Sequence, residues 1–417
     1  MSQYTSDFLR TLETRGFIKQ VTHPAELDAY CRETQPVAYI GYDATADSLH
    51  VGHLVQIMML RHLQKCGGKP IVLIGGGTTK VGDPTDKEKQ RPLLTDEQIA
   101  SNMEGIKKAF QPFLKFGDGP TDAVMVNNDD WLGKLGYLHM LREVGVYFTI
   151  NTMVKQETVA RRLNNEQPYT FLEFNYLIMQ SYDFLELFRR HKCRLQIGGS
   201  DQWGNIVGGV DLIHKAESGD AFGLTAHLIT TASGGKMGKT ADGAVWLNAD
   251  RKSPYEYWQF WRNTEDADVG RFLRLFTELS IEEIERLQAL EGAEINQAKI
   301  ALANAATEML HGKEAALESE RAALAVFGEG DSDAALPTTE IARGELESGI
   351  LAAAAFATAG LAQSNGEGRR LIKQGAARVN DALVSDQNAT LSLSDLKEDG
   401  TIKLSAGKKR HALLKAV

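Results

Sequence analysis

The sequence predicts an α/β protein in which a doubly wound parallel sheet is followed by an all-helical domain and a small C-terminal α+β domain. A strand–helix–strand unit near the N-terminus, a mostly helical stretch after residue 250 and short β segments near the end favour this fold. Such a unit makes a parallel strand pair with its ligand crevice at the strand carboxyl ends. A chain of 417 residues is too long for a single hydrophobic core, so two or three domains are expected.

The opening unit follows residues 1–36, which look helical and peripheral. A buried strand spans residues 37–42, and a polar loop leads to a helix that begins near Leu49. Apolar residues then recur at i, i+3, i+4 and i+7 until Gly67, where a residue without a Cβ can take a left-handed turn. A second strand is predicted at residues 69–75.

Two histidines, His50 and His53, lie on one side of the first turn of this helix. The unpaired N–H groups and partial positive charge of a helix N-terminus suit phosphate oxygens. Gly52 would let a flat ligand approach the backbone closely. In isolation, packed histidines are the commoner explanation, and a metal pair is disfavoured because no further ligand lies at suitable spacing.

Composition and charge narrow the class of protein. The hydrophobic fraction of 43% and charged fraction of 24% are typical of globular proteins, and no run of eighteen apolar residues exists. Three widely spaced cysteines and the absence of a signal-peptide core indicate a reducing, cytoplasmic location. Residues 361–417 hold ten Lys/Arg against six Asp/Glu, a net of +4, although the chain carries −9. This basic tail indicates either a polyanionic partner or a solvated surface.

Polar groups follow the later elements of the predicted sheet. The glycine-rich residues 75–85 match neither a Walker loop nor a dinucleotide fingerprint, but they indicate close backbone approach beside Asp83. A third strand is predicted at 123–128 and a helix at 131–144. Asp201 is expected at the carboxyl end of a strand that begins at Leu195, and one more strand is expected at 225–230.

A helix predicted at residues 171–185 carries Tyr176, Gln180 and Asp183 at i, i+4 and i+7 of an otherwise apolar element. Burying three polar groups is costly unless they bond one another or a ligand, and we favour the ligand. Residues 233–240 form a loop with two ammonium groups, Lys236 and Lys239, that could fold over polyphosphate or be a solvated turn.

The pair His50-Val51-Gly52-His53 and Lys236-Met237-Gly238-Lys239-Thr240 resembles the HIGH and KMSKS motifs of class I aminoacyl-tRNA synthetases. Their order, their separation of 186 residues (50 to 236) and the strand–helix–strand setting make the pair specific. The whole chain is similar to the bacterial tyrosyl-tRNA synthetases. Val51 replaces isoleucine in the first motif, and Gly238 and Thr240 replace serines in the second; both variants are usual in that family.

The resemblance implies five segments. They are a Rossmann-like catalytic domain at 1–232, the KMSKS-type loop and its connection at 233–250, a helical domain at 251–328, a linker at 329–350 and an S4-like RNA-binding domain at 351–417.

The resemblance also assigns roles to residues. Tyrosine would be bound by Tyr39, Asp83, Tyr176, Gln180, Asp183 and Gln202. ATP would be bound by Gly41, Asp43, Thr45, His50, Gly52, His53, Asp201, Lys236 and Lys239. Catalysis would involve His50, His53, Lys236, Lys239, Thr240, Lys87 and Arg91. RNA would be bound by Arg369, Arg370, Lys373, Lys408, Lys409 and Arg410. No protein-held metal is expected, and Mg²⁺ would accompany ATP.

The implied activity is tyrosine–tRNA ligation through a tyrosyl-adenylate, with L-tyrosine, ATP and tRNA(Tyr) as partners, in a homodimer that needs no membrane. A tryptophanyl-tRNA synthetase shares both motifs and is the nearest alternative. A non-catalytic S4-type RNA-binding protein and a nucleotidyl transferase of cofactor biosynthesis are further alternatives.

Overall fold

The computed structural model describes residues 2–85, 94–232, 234, 237–240, 243–327, 336–397, 399–407 and 410–417. Contacts divide the chain into two compact units. The first contains Met1–Lys252 and Phe260–Leu310, and the second contains Ser253–Gln259 and His311–Val417. Within the described ranges, no helix is both long and apolar enough to cross a membrane.

A six-stranded sheet organises the first unit and confirms the predicted α/β fold. Its strands are β1 (Ile18–Val21), β2 (Val37–Asp43), β3 (Lys69–Gly75), β4 (Val124–Asn127), β5 (Leu195–Gly199) and β6 (Phe222–Ala226). They lie in the order β1-β6-β5-β2-β3-β4, and all neighbours are parallel except β1, which is antiparallel to β6. The winding reverses between β2 and β5, so the ligand crevice is expected at the carboxyl ends of these two strands.

Helices connect and cover these strands. Up to residue 311 they are α1 (Asp7–Arg15), α2 (Pro24–Glu33), α3 (Val51–Lys65), α4 (Asp96–Phe110), α5 (Asp129–Leu132), α6 (Tyr137–Glu143), α7 (Ile150–Met153), α8 (Glu157–Asn164), α9 (Phe171–Phe174), α10 (Tyr176–His191), α11 (Trp203–Glu217), α12 (Pro254–Arg262), α13 (Asp266–Phe276), α14 (Ile281–Gln288) and α15 (Ile295–His311). Side chains of α10 and α11, among them Phe184 and Leu212, share one buried cluster with Tyr39 and Ile71 of the sheet.

Several predicted elements differ in extent from the structure. Residues 1–36 include β1, which was not predicted because its four residues are stabilised by β6, two hundred positions away. The helix predicted at 131–144 is interrupted between α5 and α6, at a segment bounded by Gly133 and Gly136, and the one at 171–185 breaks at Asn175. Strand β6 spans Phe222–Ala226, whereas the sequence predicted a strand at residues 225–230.

The predicted helical domain, residues 251–328, is divided between the two units. Helix α13 packs on α3, where the Arg61 guanidinium and the Lys65 ammonium group contact the Glu278 carboxylate at 2.8 and 2.9 Å. Arg15 donates to the carbonyl oxygens of Arg274, Thr277 and Leu279 at the end of α13. These contacts attach α13 to helices α1 and α3 of the first unit.

The second unit has its own sheet and core. After the hairpin of β7 (Lys239–Thr240) and β8 (Gly243–Ala244) in the first unit, the remaining elements are α16 (Lys313–Phe327), β9 (Thr338–Ile341), α17 (Arg343–Ser348), β10 (Ile350–Leu351), α18 (Ala352–Thr358), α19 (Asn365–Lys373), β11 (Ala377–Val379), β12 (Ala382–Leu383), β13 (Thr390–Leu391), β14 (Thr401–Ala406) and β15 (Arg410–Ala416). Five strands lie in the order β12-β11-β14-β15-β9. Phe356, Ile372, Ile402 and Leu414 belong to the buried core.

The range predicted as a linker, residues 329–350, contains β9 and α17. Strand β9 pairs in parallel with β15, with Thr338 opposite Leu413. The C-terminal sheet therefore includes Thr338–Ile341, which precede the predicted start of that domain at residue 351. Its first strand was missed because its pairing partner is the last strand of the chain.

Candidate active site

A cavity of about 530 Å³ opens at the carboxyl ends of β2, β3 and β5, beside the start of α3. It contains most of the residues predicted to bind substrates: Tyr39, Gly41, Asp43, Thr45, His50, His53, Asp83, Tyr176, Gln180, Asp183, Asp201 and Gln202. The doubly wound sheet places ligands at this edge, so the location agrees with the prediction from the sequence.

The histidine pair forms a reciprocal cap on α3. Nδ1 of His50 accepts from the Gly52 amide at 3.0 Å, and Nδ1 of His53 accepts from the His50 amide at 3.2 Å. When Nδ1 accepts a hydrogen bond, the proton of a neutral imidazole is on Nε2. Burial, reinforced by His50, lowers the pKa of His53 to about 3. His53 is therefore a neutral ring whose Nε2–H can donate to a ligand.

The second signature motif packs directly on the first. A Cβ on Gly52 would lie 3.3 Å from the Met237 carbonyl oxygen, and a Cβ on Gly238 would lie 2.9 Å from the Gly52 nitrogen. Gly238 also has a φ of 83°, which a residue with a side chain adopts only with strain. Glycine at both positions is what lets the two backbones meet.

Backbone hydrogen bonds extend this contact beyond the motifs. The Val51 amide donates to the Val245 carbonyl at 2.9 Å, and the Leu247 amide donates to the Leu49 carbonyl at 2.8 Å. Val245 in turn donates to the Gly238 carbonyl at 2.9 Å. Residues 245–247 thus form an isolated antiparallel bridge with residues 49–51, at the start of α3.

Some predicted residues fall outside this description. Lys87, Arg91, Lys236, Lys408 and Lys409 lie outside the described residues, and Lys239 and Thr240 are described only as the strand β7. Their assignments remain predictions.

The inner end of the cavity is lined by the phenol of Tyr39 and the carboxylate of Asp183. Tyr39 is 1% exposed, and its hydroxyl has no hydrogen-bond partner among the described residues. The Asp183 carboxylate accepts from Trp131 Nε1 at 2.7 Å and from Asn128 Nδ2 at 2.9 Å. Burial raises the pKa of Asp183 to about 7, against the opposite effect of these two donors. Both groups retain hydrogen-bonding capacity for a ligand hydroxyl.

A chain of hydrogen bonds runs from this end towards the mouth of the cavity. Asn128 Nδ2 also donates to Thr78 Oγ1 at 3.0 Å, and Thr78 Oγ1 donates to Asp43 Oδ1 at 2.8 Å. The Tyr176 hydroxyl donates to Asp43 Oδ2 at 3.1 Å. Sequence reasoning placed Tyr176 and Asp43 on different substrates, whereas the structure brings the two side chains into direct contact.

Amides and carboxylates form a second cluster on one wall. Gln202 Nε2 donates to Asp83 Oδ2 at 2.9 Å and to Asp201 Oδ2 at 3.2 Å. Gln180 Nε2 donates to Gln202 Oε1 at 3.3 Å, and Asn205 Nδ2 donates to Gln180 Oε1 at 3.0 Å. Two carboxylates beside neutral amides make this wall suitable for a cation and for hydroxyl groups.

Sequence reasoning missed several residues of the site. Asn128 and Trp131 hold Asp183, and the signal that could have found them is their position just after the carboxyl end of β4. Gln56, one turn after His53, and Gln196 also line the cavity. Gln196 Oε1 is buried without a hydrogen-bond partner in the described structure, so it too can accept from a ligand.

A second cavity of about 420 Å³ shares Tyr176 and Asp201 with the first. Its walls include the side chains of Gln156, Trp203 and Asn205. A group bound there would lie next to whatever occupies the amide and carboxylate wall.

The basic residues predicted to bind RNA belong to the second unit. Arg369, Arg370 and Lys373 are exposed on α19, and Arg370 lies 3.8 Å from Glu367. Arg410 begins β15 and donates to the Leu361 carbonyl at 3.2 Å. The three cations of α19 form one exposed basic surface.

The sheet is doubly wound, and its crossover helix begins with a capped histidine pair that packs against a second glycine-containing motif. Together these features define the catalytic domain of a class I synthetase. The profile of the family described as "tRNA synthetases class I (W and Y)" matches residues 32–328. Over 416 residues, the chain is 59% identical to a tyrosine–tRNA ligase of Caulobacter vibrioides, covering 100% of this chain and 99% of that protein. It is 57% identical to the ligase of Rhodopseudomonas palustris, covering 100% of each. The chain therefore belongs to the tyrosyl-tRNA synthetase family.

Solved structures agree with this assignment. A C-terminally truncated mitochondrial tyrosyl-tRNA synthetase of Aspergillus nidulans superposes with a TM-score of 0.70 at 30% identity, covering 78% of this chain and 95% of that one. A tyrosyl-tRNA synthetase of Archaeoglobus fulgidus, complexed with L-tyrosine, has a TM-score of 0.54 at 20% identity, covering 75% and 99%. The second likeness concerns the fold alone.

Proposed function

We propose that the protein activates L-tyrosine with ATP to tyrosyl-adenylate and pyrophosphate, and then transfers tyrosine to the 3′-terminal adenosine of tRNA(Tyr). The observation that carries this proposal is the inner end of the cavity, where the unpartnered Tyr39 hydroxyl and the Asp183 carboxylate lie together. The names of the full-length relatives support the same conclusion.

In this proposal the substrate phenol donates to Asp183 and exchanges a hydrogen bond with Tyr39. Asn128 and Trp131 orient the carboxylate from behind. Phenylalanine would leave the buried Tyr39 hydroxyl without a partner and would offer no donor to the Asp183 carboxylate, which is the basis of a discrimination already known in this family of synthetases. No editing domain is then needed.

The substrate ammonium group would lie against the wall formed by Asp83, Gln180 and Gln202, with Tyr176 at its edge. The Asp83 carboxylate supplies the negative charge, and the Gln202 amide holds it in place at 2.9 Å. This arrangement fixes the amino acid at both ends and directs its carboxylate towards the start of α3.

ATP would lie along the start of α3. Asp201 faces the ribose, Gly52 and Gly41 allow close approach of the nucleotide, and Asp43, Thr45, His50 and His53 surround the phosphates. Lys236, Lys239 and Thr240 would close over the triphosphate, with Lys87 and Arg91 contributing charge.

Activation is an in-line displacement at the α-phosphorus. A tyrosine carboxylate oxygen forms the new bond to phosphorus while the bond to the pyrophosphate oxygen breaks, and pyrophosphate carries away the electron pair. The nucleophile is already ionised, so no general base is required, and positioning plus charge stabilisation suffice. The neutral Nε2–H of His53 can donate to a phosphate oxygen without taking part in proton transfer.

Magnesium is proposed to enter with the triphosphate. The described residues contain no group of three His, Cys, Asp or Glu placed to hold a metal ion. The described side chains therefore do not form a protein cage for a metal ion, whereas Mg²⁺ readily binds phosphate oxygens and water.

Transfer requires the terminal ribose of the tRNA to reach the tyrosyl carbonyl carbon. The second cavity, with Trp203 and Asn205, adjoins the wall that would bind the substrate ammonium group and could receive the terminal nucleotide. A ribose hydroxyl would then attack the carbonyl carbon, AMP would leave as the bond between carbonyl carbon and phosphate oxygen breaks, and the hydroxyl proton would pass to the departing phosphate. The basic surface of α19 is proposed to bind the tRNA at a distance from this site.

We also propose a homodimer that works in the cytoplasm, where tRNA is charged. Exposed apolar side chains are concentrated between residues 137 and 172: Tyr137, Leu138, Leu141, Val146, Ile150, Leu163, Phe171 and Leu172. Such a concentration marks an interaction surface in a protein of this kind. A second copy of the chain is the occupant that the family suggests.

Pyrophosphate exchange into ATP, measured with each amino acid separately, tests the proposal. Exchange is expected with tyrosine, with little or none with tryptophan or phenylalanine. Exchange with tryptophan instead would identify the tryptophanyl alternative. An absence of exchange with every amino acid would favour a non-catalytic RNA-binding protein or another nucleotidyl transferase, neither of which the full-length relatives favour.

A further inference from the structure

A third cavity, of about 690 Å³, lies in the first unit away from the catalytic site. It is formed by the end of α1, residues 227–230 after β6, and helices α13 and α14. We refer to it as the arginine cleft, because the side chains of Arg15, Arg271 and Arg274 line it. Its volume is within the range of small-molecule sites, which runs from about 300 to 1,000 Å³.

The charges around the arginine cleft are incompletely balanced. Arg274 makes no ion pair among the described residues, and its guanidinium contacts only the neutral Gln288 amide oxygen at 3.5 Å. Arg15 donates to backbone carbonyls rather than to a carboxylate. Asp266, also on the cleft wall, is paired with Lys299 at 2.5 Å. Burial and the nearby Lys19 and Arg271 lower the pKa of His227, as expected beside a positive potential.

The rest of the lining suits an organic group. Leu228, Val269, Leu275, Leu287 and Ile295 contribute apolar surface beside the guanidinium groups. An anionic head with a ring or chain attached would therefore meet complementary chemistry at both ends.

The surroundings disfavour a long polyanion. Helices α13 and α14 together carry five acidic residues, Asp266, Asp268, Glu282, Glu283 and Glu285, against three arginines, Arg271, Arg274 and Arg286. Repulsion from these carboxylates would oppose the binding of an extended phosphate backbone. The binding of a single phosphate close to the arginines would still be favourable.

The cleft is also tied to the segment that leads into the second signature motif. Arg271 donates to the Thr230 carbonyl and contacts Asp268 Oδ1 at 2.6 Å. The Ala232 amide donates to Asp268 Oδ2 at 2.7 Å. Met237 donates to the Ile229 carbonyl at 3.0 Å, and its own carbonyl lies against Gly52. Continuous contacts thus join Arg271 to the start of α3.

We propose that the arginine cleft binds a small organic phosphate of about the size of a nucleoside monophosphate, and that the bound phosphate draws Arg271 away from Thr230 and Asp268. Releasing the Thr230 carbonyl weakens the packing of Met237 against Gly52 and slows adenylate formation. This regulatory effect rests on the proposed synthetase function, whereas the binding itself does not.

Calorimetric titration of the full-length protein with UMP tests the binding, with uridine as the phosphate-free partner. The catalytic site is first filled with a non-hydrolysable tyrosyl-adenylate analogue, so that the measured binding occurs elsewhere. UMP is expected to bind at least about tenfold more tightly than uridine, since charge-assisted hydrogen bonds to phosphate contribute that much. Arg274→Gln should weaken UMP binding by about tenfold. Arg286→Gln, which removes an arginine paired with Glu283 outside the cleft, should leave it unchanged.

Equal affinity for UMP and uridine, no binding of UMP, or full binding by a folded Arg274→Gln protein would each overturn the site. Circular dichroism of both variants is the check that they fold. For the regulatory effect, UMP that saturates the wild type should slow tyrosine-dependent pyrophosphate exchange about threefold, and Arg274→Gln should need about tenfold more UMP for the same effect. An unchanged wild-type rate would refute the coupling. A protein without any exchange would refute the synthetase function while the titration still reports on the cleft.

Discussion

Gly238 lies so close to Gly52 that a Cβ on Gly238 would be 2.9 Å from the Gly52 amide nitrogen. These two residues belong to the two signature motifs, 186 positions apart (52 to 238). Their contact means that the replacement of a motif serine by glycine is tied to the geometry of the first motif. The loop can rest on the start of α3 only while neither position has a side chain.

Gly238→Ala should therefore slow tyrosyl-adenylate formation by about tenfold or more, because the added Cβ pushes the loop away from α3. The left-handed backbone alone would cost about 1–2 kcal/mol of stability. Gly234→Ala is the matched control, since Gly234 has a φ of 86° and open space around its Cβ position. Single-turnover kinetics and thermal unfolding of both variants separate the two effects. Equal rate losses would show that strain, not the contact with Gly52, limits the loop.

Substitutions at the inner end of the cavity should separate affinity from discrimination. Asp183→Ala should abolish measurable tyrosine activation, because the substrate phenol would lose its main acceptor and Trp131 and Asn128 would lose theirs. Tyr39→Phe should retain activity within about tenfold and raise the relative use of phenylalanine. Pyrophosphate exchange with both amino acids measures this, with Tyr182→Phe as a control outside the cavity. Unchanged kinetics in both cavity variants would refute the assigned pocket.

Tyrosine affinity should depend on pH through Asp183. Burial raises the pKa of its carboxyl to about 7, and a phenol that donates to the carboxylate favours the ionised form. Affinity is thus expected to fall as the pH drops below about 7, with proton release on binding near neutrality. In the free protein the sign is opposite: a raised carboxyl pKa stabilises the fold at acid pH, and this contribution is lost as the pH rises through about 7. Tyrosine titrations in buffers of different ionisation enthalpy test the release, and Asp130→Asn on the exposed side of α5 is the control. An affinity that stays constant from pH 6 to 8 would contradict it.

Phe171→Asp should dissociate the proposed dimer. The Phe171 side chain is 66% exposed in the isolated chain, and Leu172 and Ile150 are also exposed. A buried carboxylate in an apolar interface is strongly unfavourable. Sedimentation at micromolar concentration should show a dimer for the wild type and a monomer for the variant. Leu317→Asp, on α16 where the side chain is 42% exposed, should remain dimeric. A wild-type protein that is monomeric at all concentrations would contradict the proposed dimer.

Replacing Arg369, Arg370 and Lys373 together by glutamine should weaken tRNA charging without changing pyrophosphate exchange. If each cation neutralises one phosphate, the slope of log affinity against log salt should shrink by about 0.7–0.9 per residue. The triple replacement of Lys313, Arg321 and Arg343, which are exposed in the same unit, is the matched control. Equal effects of the two triples would mean general charge rather than a specific RNA surface.

The parts of the fold that sequence reasoning predicted are those encoded locally. Strand β2, helix α3 and strand β3 follow from a short apolar run, a helical period and Gly67, and the structure places them within two residues of the prediction. Tyr176, Gln180 and Asp183 of the predicted polar face line the cavity, and their binding of a ligand remains a prediction. What was missed depends on distant partners: β1 and β9 are short strands fixed by residues far along the chain. Asn128 and Trp131 acquire their importance only because α10 brings Asp183 to them.

The antiparallel pairing of β1 with β6 has a consequence for biosynthesis. Ile18 pairs with Ala226, so the outer strand of the catalytic sheet is made first and must wait until more than half of the chain has been synthesised. Contacts of such sequence separation form slowly. Until β1 docks, β6 presents an unpaired edge, which is a template for association with other chains. The first twenty residues are therefore expected to govern how much of the newly made protein escapes aggregation, although none of those that the structure describes lines the catalytic cavity.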